Sequence, residues 1–133
     1  MSINTRVLMM AAAVFNGAAG VAASFLPDEI VHLAGSGANP LLAGIIQLAG
    51  ALYLGFAMAD WMARENLIGG IYGRPLLIAN VVHFTVGALA LGKIVLRGGL
   101  PQPALLLPIV YAVFAVAFGF ALFGSPVKPA TAV

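Results

Sequence analysis

Cysteine is absent from this chain and charge is scarce: 133 residues hold six Lys or Arg, four Asp or Glu, and two His. Without thiols there are no disulfides, thiolate metal sites, iron–sulfur clusters or thiol redox chemistry. Charged residues make up 8% of the sequence, whereas a soluble domain carries about 25%. A water-exposed surface cannot be built from such a set. What is present is apolar: 62% of residues are hydrophobic, and the mean hydropathy is +1.08. The chain therefore reads as a multi-pass integral membrane protein of one domain, 1–133, with the lipid bilayer as its first partner. The net charge of +2 does not point to nucleic acid, because the basic residues are scattered at the ends of apolar runs. They read as topology signals and headgroup contacts.

A helix that crosses a bilayer needs about 20 apolar residues. Four stretches meet that length, at about 5–26, 40–63, 75–97 and 103–124. The first stops at Pro27, which cannot continue a helix. Its Arg6, apolar run and VAAS at 21–24 have the outline of a secretory signal. The run is nearer to a full span than to a signal core, so a retained first helix is expected. Asn39 and Pro40 open the second helix as N-cap and first-turn proline, and Pro75 opens the third in the same way. Pro108 either kinks the fourth helix or marks its true start. Between the first two spans, Pro27, Asp28 and Glu29 suit the N-terminus of a short interfacial helix over 28–34. Nothing in the two halves aligns as an internal repeat.

Orientation follows from the basic residues. Arg6, Arg64, Arg74 and Lys128 fall on one side of the spans and Lys93 and Arg97 on the other. The positive-inside rule then places both termini in the cytoplasm. Trp61 and Tyr72 suit the aromatic belt at that face. The localisation implied is the inner membrane of a bacterial cell.

Each span carries a stripe of small residues into which polar ones are set. Ala12, Asn16, Gly20 and Ser24 recur every four residues in the first. The second has Ala43, Gln47, Ala51, Gly55 and Ala59. Asn80, His83, Gly87 and Ala90 share a face of the third, and Tyr111, Ala115 and Gly119 a face of the fourth. Small residues let helix backbones approach one another inside membranes. Read as inward faces, the stripes bring Asn16, Gln47, Asn80, His83 and Tyr111 to one interior. The helical rise puts Asn16 at mid-membrane, Gln47 and Tyr111 in the outer half, and Asn80 and His83 in the inner half. Interhelical hydrogen bonding explains these residues first, and a ligand pocket or proton path second.

His83 is the sharpest of them, since an imidazole in a bilayer can relay protons or ligate haem or a metal. His32, the other histidine, sits in a loop too far away to share an ion, and no cluster has metal-ligand spacing. A core histidine bonded to Asn80, Gln47 or Tyr111 is the plainer expectation. Asp60, the carboxylate inside a span, is expected to pair with Arg64 one turn on, although a proton or cation site is its functional reading. The turn at 69–75, GGIYGRP, lacks both the Walker and the dinucleotide pattern. It reads as punctuation, with Arg74 and Arg64 at lipid headgroups. No Ser/His/Asp triad or paired carboxylates can be assembled, so no catalytic constellation is present.

Three stretches carry a resemblance: FLPDE at 25–29, QLAGALYLGFAMADWMA at 47–63 and GRPLLIANVVHFTVGAL at 73–89. In them the chain resembles the small bacterial four-helix membrane proteins of the DoxX-like kind, over nearly its whole length. The resemblance implies an all-α, compact four-helix transmembrane bundle with short loops. It supplies no catalytic residues. Some DoxX-like proteins are quinone-linked oxidoreductase subunits, which makes a quinone- or haem-linked subunit one expected role. The leading expectation is a protein that binds a small apolar ligand or lipid in its bundle, or serves as an accessory subunit of a membrane complex. A small proton-coupled transporter, working as a homo-oligomer, is the alternative that uses the polar interior as a pathway. No cofactor is named by the residues.

Overall fold

The computed structural model describes residues 4–65, 73–99 and 101–124. All its regular structure is helical: α1 Thr5–Phe25, α2 Pro27–Leu33, α3 Pro40–Ala63, α4 Gly73–Leu96, and α5 Leu106–Gly124, the last preceded by a 3-10 turn at Gln102–Leu105. Four of these, α1, α3, α4 and α5, are long and apolar enough to cross a membrane. The glycine turn expected at 69–72, Tyr72, and the tail with Lys128 lie outside the described residues.

Local chemistry sets the ends. Asn39 stands in extended conformation and its side chain accepts the Leu42 N–H at 3.1 Å, with Pro40 at the first helical position. Both features satisfy or remove amides that have no partner within the helix. Asn4 caps α1 more loosely, accepting from Val7 at 3.4 Å. Leu26 leaves helical geometry just before Pro27, and α2 starts there with Asp28 and Glu29 in its first turn. That short helix falls where the acidic turn predicts it. Gly35 and Gly98 take positive φ, 76° and 69°. At the end of α4 the Gly98 N–H reaches Val95 O and the Gly99 N–H reaches Ile94 O. This pairing satisfies two terminal carbonyls and calls for glycine at the left-handed position. Pro108 is the third residue of α5, where an amide has no helical acceptor anyway, so it starts the helix and does not interrupt it. For the same reason α4 can begin at Gly73, two residues before the expected Pro75.

The helices pack in two pairs. α1 lies along α3, and α4 lies along α5, while contacts between the pairs are sparse. The first pair is built on glycine. A Cβ on Gly50 would stand 2.8 Å from the Ser24 nitrogen, and one on Gly20 would stand 2.9 Å from the Leu54 nitrogen. The two backbones therefore touch, as small residues permit. The second pair is built on rings. Phe84, with no exposed surface, stacks on Phe114 at 4.6 Å and on Phe118 at 5.7 Å between centroids. Phe15 of α1 meets the same stack through Phe84, Phe114 and Tyr111. The outside is apolar: Leu41, Leu52 and Phe123 are among many large hydrophobic residues left exposed. An exterior of that kind suits hydrocarbon surroundings and is unfavourable in water.

Candidate functional site

Polar side chains gather where the helix pairs meet, in two constellations. The first joins three helices through Asp60. Asn80 of α4 donates from Nδ2 to Asp60 Oδ1 at 2.6 Å, and Asn16 of α1 donates from Nδ2 to Asp60 Oδ2 at 3.4 Å. All three residues have no exposed surface. The Asn80 Nδ2 also donates to the Leu76 carbonyl one turn back, at 3.1 Å. Asn16 Oδ1 and Asn80 Oδ1 are buried without a hydrogen-bond partner. Unpaired buried acceptors are rare and costly, which marks this cluster as unusual for a purely structural one.

The second constellation lies on the same junction, beyond Asp60. Tyr53 of α3 and Tyr111 of α5 share a hydrogen bond between their hydroxyls. Gly87 makes room for the phenol, since a Cβ there would overlap the Tyr111 ring. The His83 ring stacks on Phe56 at 5.0 Å and meets Tyr53 and Phe84 edge-on at 5.3 and 4.9 Å. Its Nε2 is buried and has no hydrogen-bond partner. A groove of about 430 Å³ opens beside these rings, lined by Tyr53, His83 and Tyr111 together with Val82, Val86 and Leu91. It is an apolar recess with three polar groups at one place, the usual chemistry of a small-molecule site.

The five residues expected to share an interior thus divide. Asn16 and Asn80 meet at Asp60; His83 and Tyr111 meet at the groove. Gln47 joins neither, because it is exposed and its Nε2 reaches only the Ser24 carbonyl, at 3.4 Å. The cause is helical phase. A stripe repeating every four residues drifts about 40° per step on a helix of 3.6 residues per turn. On α3 the stripe through Gln47, Ala51 and Gly55 turns to the outside, and those three residues are exposed. Ala43, Gly50 and Asp60 are the buried residues of α3, seven and ten residues apart, which keeps them on one side of the helix.

The expected Asp60–Arg64 pair is likewise replaced. Asp60 points inward, while Arg64 donates from Nη1 to the Trp61 carbonyl, lies 4.3 Å over the Trp61 ring and sits 3.6 Å from Glu65. Glu65 is also held by Arg6 at 2.9 Å. Arg74 is exposed at the start of α4. The bond expected for His83 to Asn80, Gln47 or Tyr111 is not formed; rings surround it instead. Tyr53 and Phe56 escaped notice in the sequence. Both lie on the side of α3 that carries Gly50 and Asp60, Tyr53 three residues after Gly50 and Phe56 four before Asp60, and that three-and-four spacing is the signal that finds them. Among the described residues no group of three His, Asp or Glu side chains could hold a metal ion.

No protein-family model, curated protein or solved structure matches this chain.

Proposed function

We propose that this chain is a multi-pass protein of the bacterial inner membrane. In this reading it is a four-helix bundle with both termini in the cytoplasm, similar in plan to the DoxX-like proteins. Its proposed task is to hold a small, mostly apolar molecule with one hydrogen-bonding end, alone or as an accessory subunit of a larger membrane assembly. The observation that carries this reading is the unpartnered Nε2 of His83 at the edge of the apolar groove. A buried ring nitrogen without a partner loses the bond it had in water, and a ligand headgroup entering the groove restores it. Tyr53 and Tyr111, whose hydroxyls are bonded to each other, line the same groove and offer further polar groups. The valine and leucine walls offer the rest of the ligand no polar contact, so a lipid, a quinone or another lipid-soluble molecule fits the chemistry. The apolar exterior of the helices gives such a molecule direct entry from the bilayer.

The test is to extract the purified protein with organic solvent and compare wild type with His83→Ala by mass spectrometry. A molecule recovered in near-stoichiometric amount from wild type, and depleted at least tenfold in the variant, is expected. Identical extracts from two equally folded proteins would contradict the proposal. A quinone in the wild-type extract would favour the redox-subunit role, and a phospholipid or fatty acid the carrier role.

A further inference from the structure

Asp60 plays no part in the groove, yet it is the one carboxylate carried by the four long helices. It is fully buried, and among the described residues no cation pairs with it. The charged groups at its end of the helices are otherwise engaged. Arg6 and Arg64 hold Glu65, Arg64 also covers Trp61, and Arg74 is exposed. From α4, His83 is packed among rings, and from α5, Tyr111 is bonded to Tyr53. Asp28, Glu29 and His32 belong to α2, which follows the opposite end of α1. An ionised carboxylate with no counter-charge is expensive in such surroundings, and membrane-embedded carboxylates characteristically serve proton or ion pathways.

The hydrogen-bond inventory adds a second, independent argument. An ionised Asp60 supplies acceptors only, and the cluster already contains two acceptors without donors, Asn16 Oδ1 and Asn80 Oδ1. The cluster lacks donors for both, and a proton on Asp60 supplies one. The two asparagines also differ. Asn80 Nδ2 is fixed by two bonds, to Asp60 Oδ1 at 2.6 Å and to Leu76 O at 3.1 Å. Asn16 Nδ2 makes a single long contact of 3.4 Å to Asp60 Oδ2. Turned over, the Asn16 amide gives up that one contact and presents Oδ1 to the carboxyl oxygen.

We propose that Asp60 is a reversible proton-binding site within the apolar part of the fold, clamped by Asn16 and Asn80. In the ionised form both carboxylate oxygens accept amide N–H groups, as observed. In the protonated form Asp60 Oδ2 carries the hydrogen and donates it to Asn16 Oδ1, while Asn80 still donates to Oδ1. One proton is bound or released, no other covalent bond is made or broken, and the Asn16 N–H bond to Asp60 Oδ2 is exchanged for one from Asp60 Oδ2–H to Asn16 Oδ1. Asn16 lies on α1 and Asp60 on α3, so the bond that the proton changes lies within the first helix pair, beside the Asn80 bond that ties α4 to it. This site is independent of the groove and stands whether or not the groove holds a ligand.

Infrared spectroscopy of the purified protein in lipid, over a pH series, reads the site directly. Asp28 is the other aspartate and is exposed. Asp28→Asn protein grown on isotope-labelled aspartate therefore leaves Asp60 as the one labelled side-chain carboxyl, without mutating it. The expected result is an isotope-shifted carboxylic-acid C=O band at low pH that disappears reversibly as pH rises. It should be absent from the Asp28→Asn, Asp60→Asn double variant and displaced in frequency by Asn16→Ala. A labelled band absent at every pH makes Asp60 a permanent carboxylate, and a band that never titrates makes it permanently neutral; either overturns the proposal. Replacing choline chloride by sodium chloride at fixed pH separates two possible occupants. An unchanged band supports a proton site, and loss of the band caused by sodium alone overturns it in favour of a cation site.

Discussion

The two helix pairs solve the same packing problem in opposite ways. Where α1 meets α3, side chains are nearly dispensed with, and Gly20 and Gly50 bring backbone against backbone. Where α4 meets α5, the helices are kept apart by rings, with Phe84 stacked between Phe114 and Phe118. In surroundings as apolar as the helices themselves, burial of apolar area does little to drive association, and close van der Waals fit must do it. Glycine seams and stacked rings are both ways to that fit. One buried polar bond, Asn16 to Asp60, lies within the first pair. Two cross between the pairs, Asn80 to Asp60 and Tyr53 with Tyr111. The pairs are joined by these hydrogen bonds and by a shared apolar cluster in which Leu8, Met9 and Ala12 of α1 pack with Leu77, Phe84 and Tyr111.

That contrast can be broken most severely at the glycine seam. Gly50→Val places a branched side chain into the Ser24 backbone, and the atoms it meets cannot move aside without separating α1 from α3. A loss of about 3 kcal/mol or more is expected, seen as aggregation or loss of a monodisperse peak on size-exclusion chromatography in detergent. Phe84→Ala attacks the other unit. It opens a cavity in the ring stack at a cost of about 3 kcal/mol, measured by denaturant titration, and should leave the glycine seam formed. Smaller effects probe the joint. Tyr53→Phe removes one hydroxyl bond between the pairs, which costs about 0.6 kcal/mol on average in membrane proteins. Gln47→Ala, by contrast, should shift stability by less than about 0.5 kcal/mol, as an exposed residue outside any network does. Equal effects of these last two substitutions would return Gln47 to the interior.

The sequence shows the ends of these helices far better than their rotation. Asn39–Pro40, Pro27 and the Gly98–Gly99 pair act locally, through amides and φ angles, so they can be read without knowing what packs where. The rotation of α3 cannot be read that way. In water the inward face of a helix is the apolar one, but α3 is apolar all round, and Leu48 and Leu52 point outward as readily as Leu54 points inward. The small-residue stripe at Gln47, Ala51 and Gly55 is therefore a poor guide, and the face through Ala43, Gly50 and Asp60 is the one that packs inward. The partners of Asp60 are hidden in the sequence for a related reason. Arg64 lies at the favourable spacing, and the sequence does not show that Trp61 and Glu65 engage it instead. Tyr53 reaches its partner across 58 positions of sequence, a pairing with no local signal at all.

The claim that polar bonds help to hold the two pairs together is tested most directly by a double-mutant cycle between Asp60 and Asn80. Asp60→Ala, Asn80→Ala and the double variant would be unfolded by denaturant in mixed micelles beside the wild type. The account predicts a coupling of about 1 kcal/mol or more, with the double variant destabilised by less than the sum of the single ones. Additivity within about 0.5 kcal/mol would contradict it, and would mean that the two residues do not share a bond across the joint.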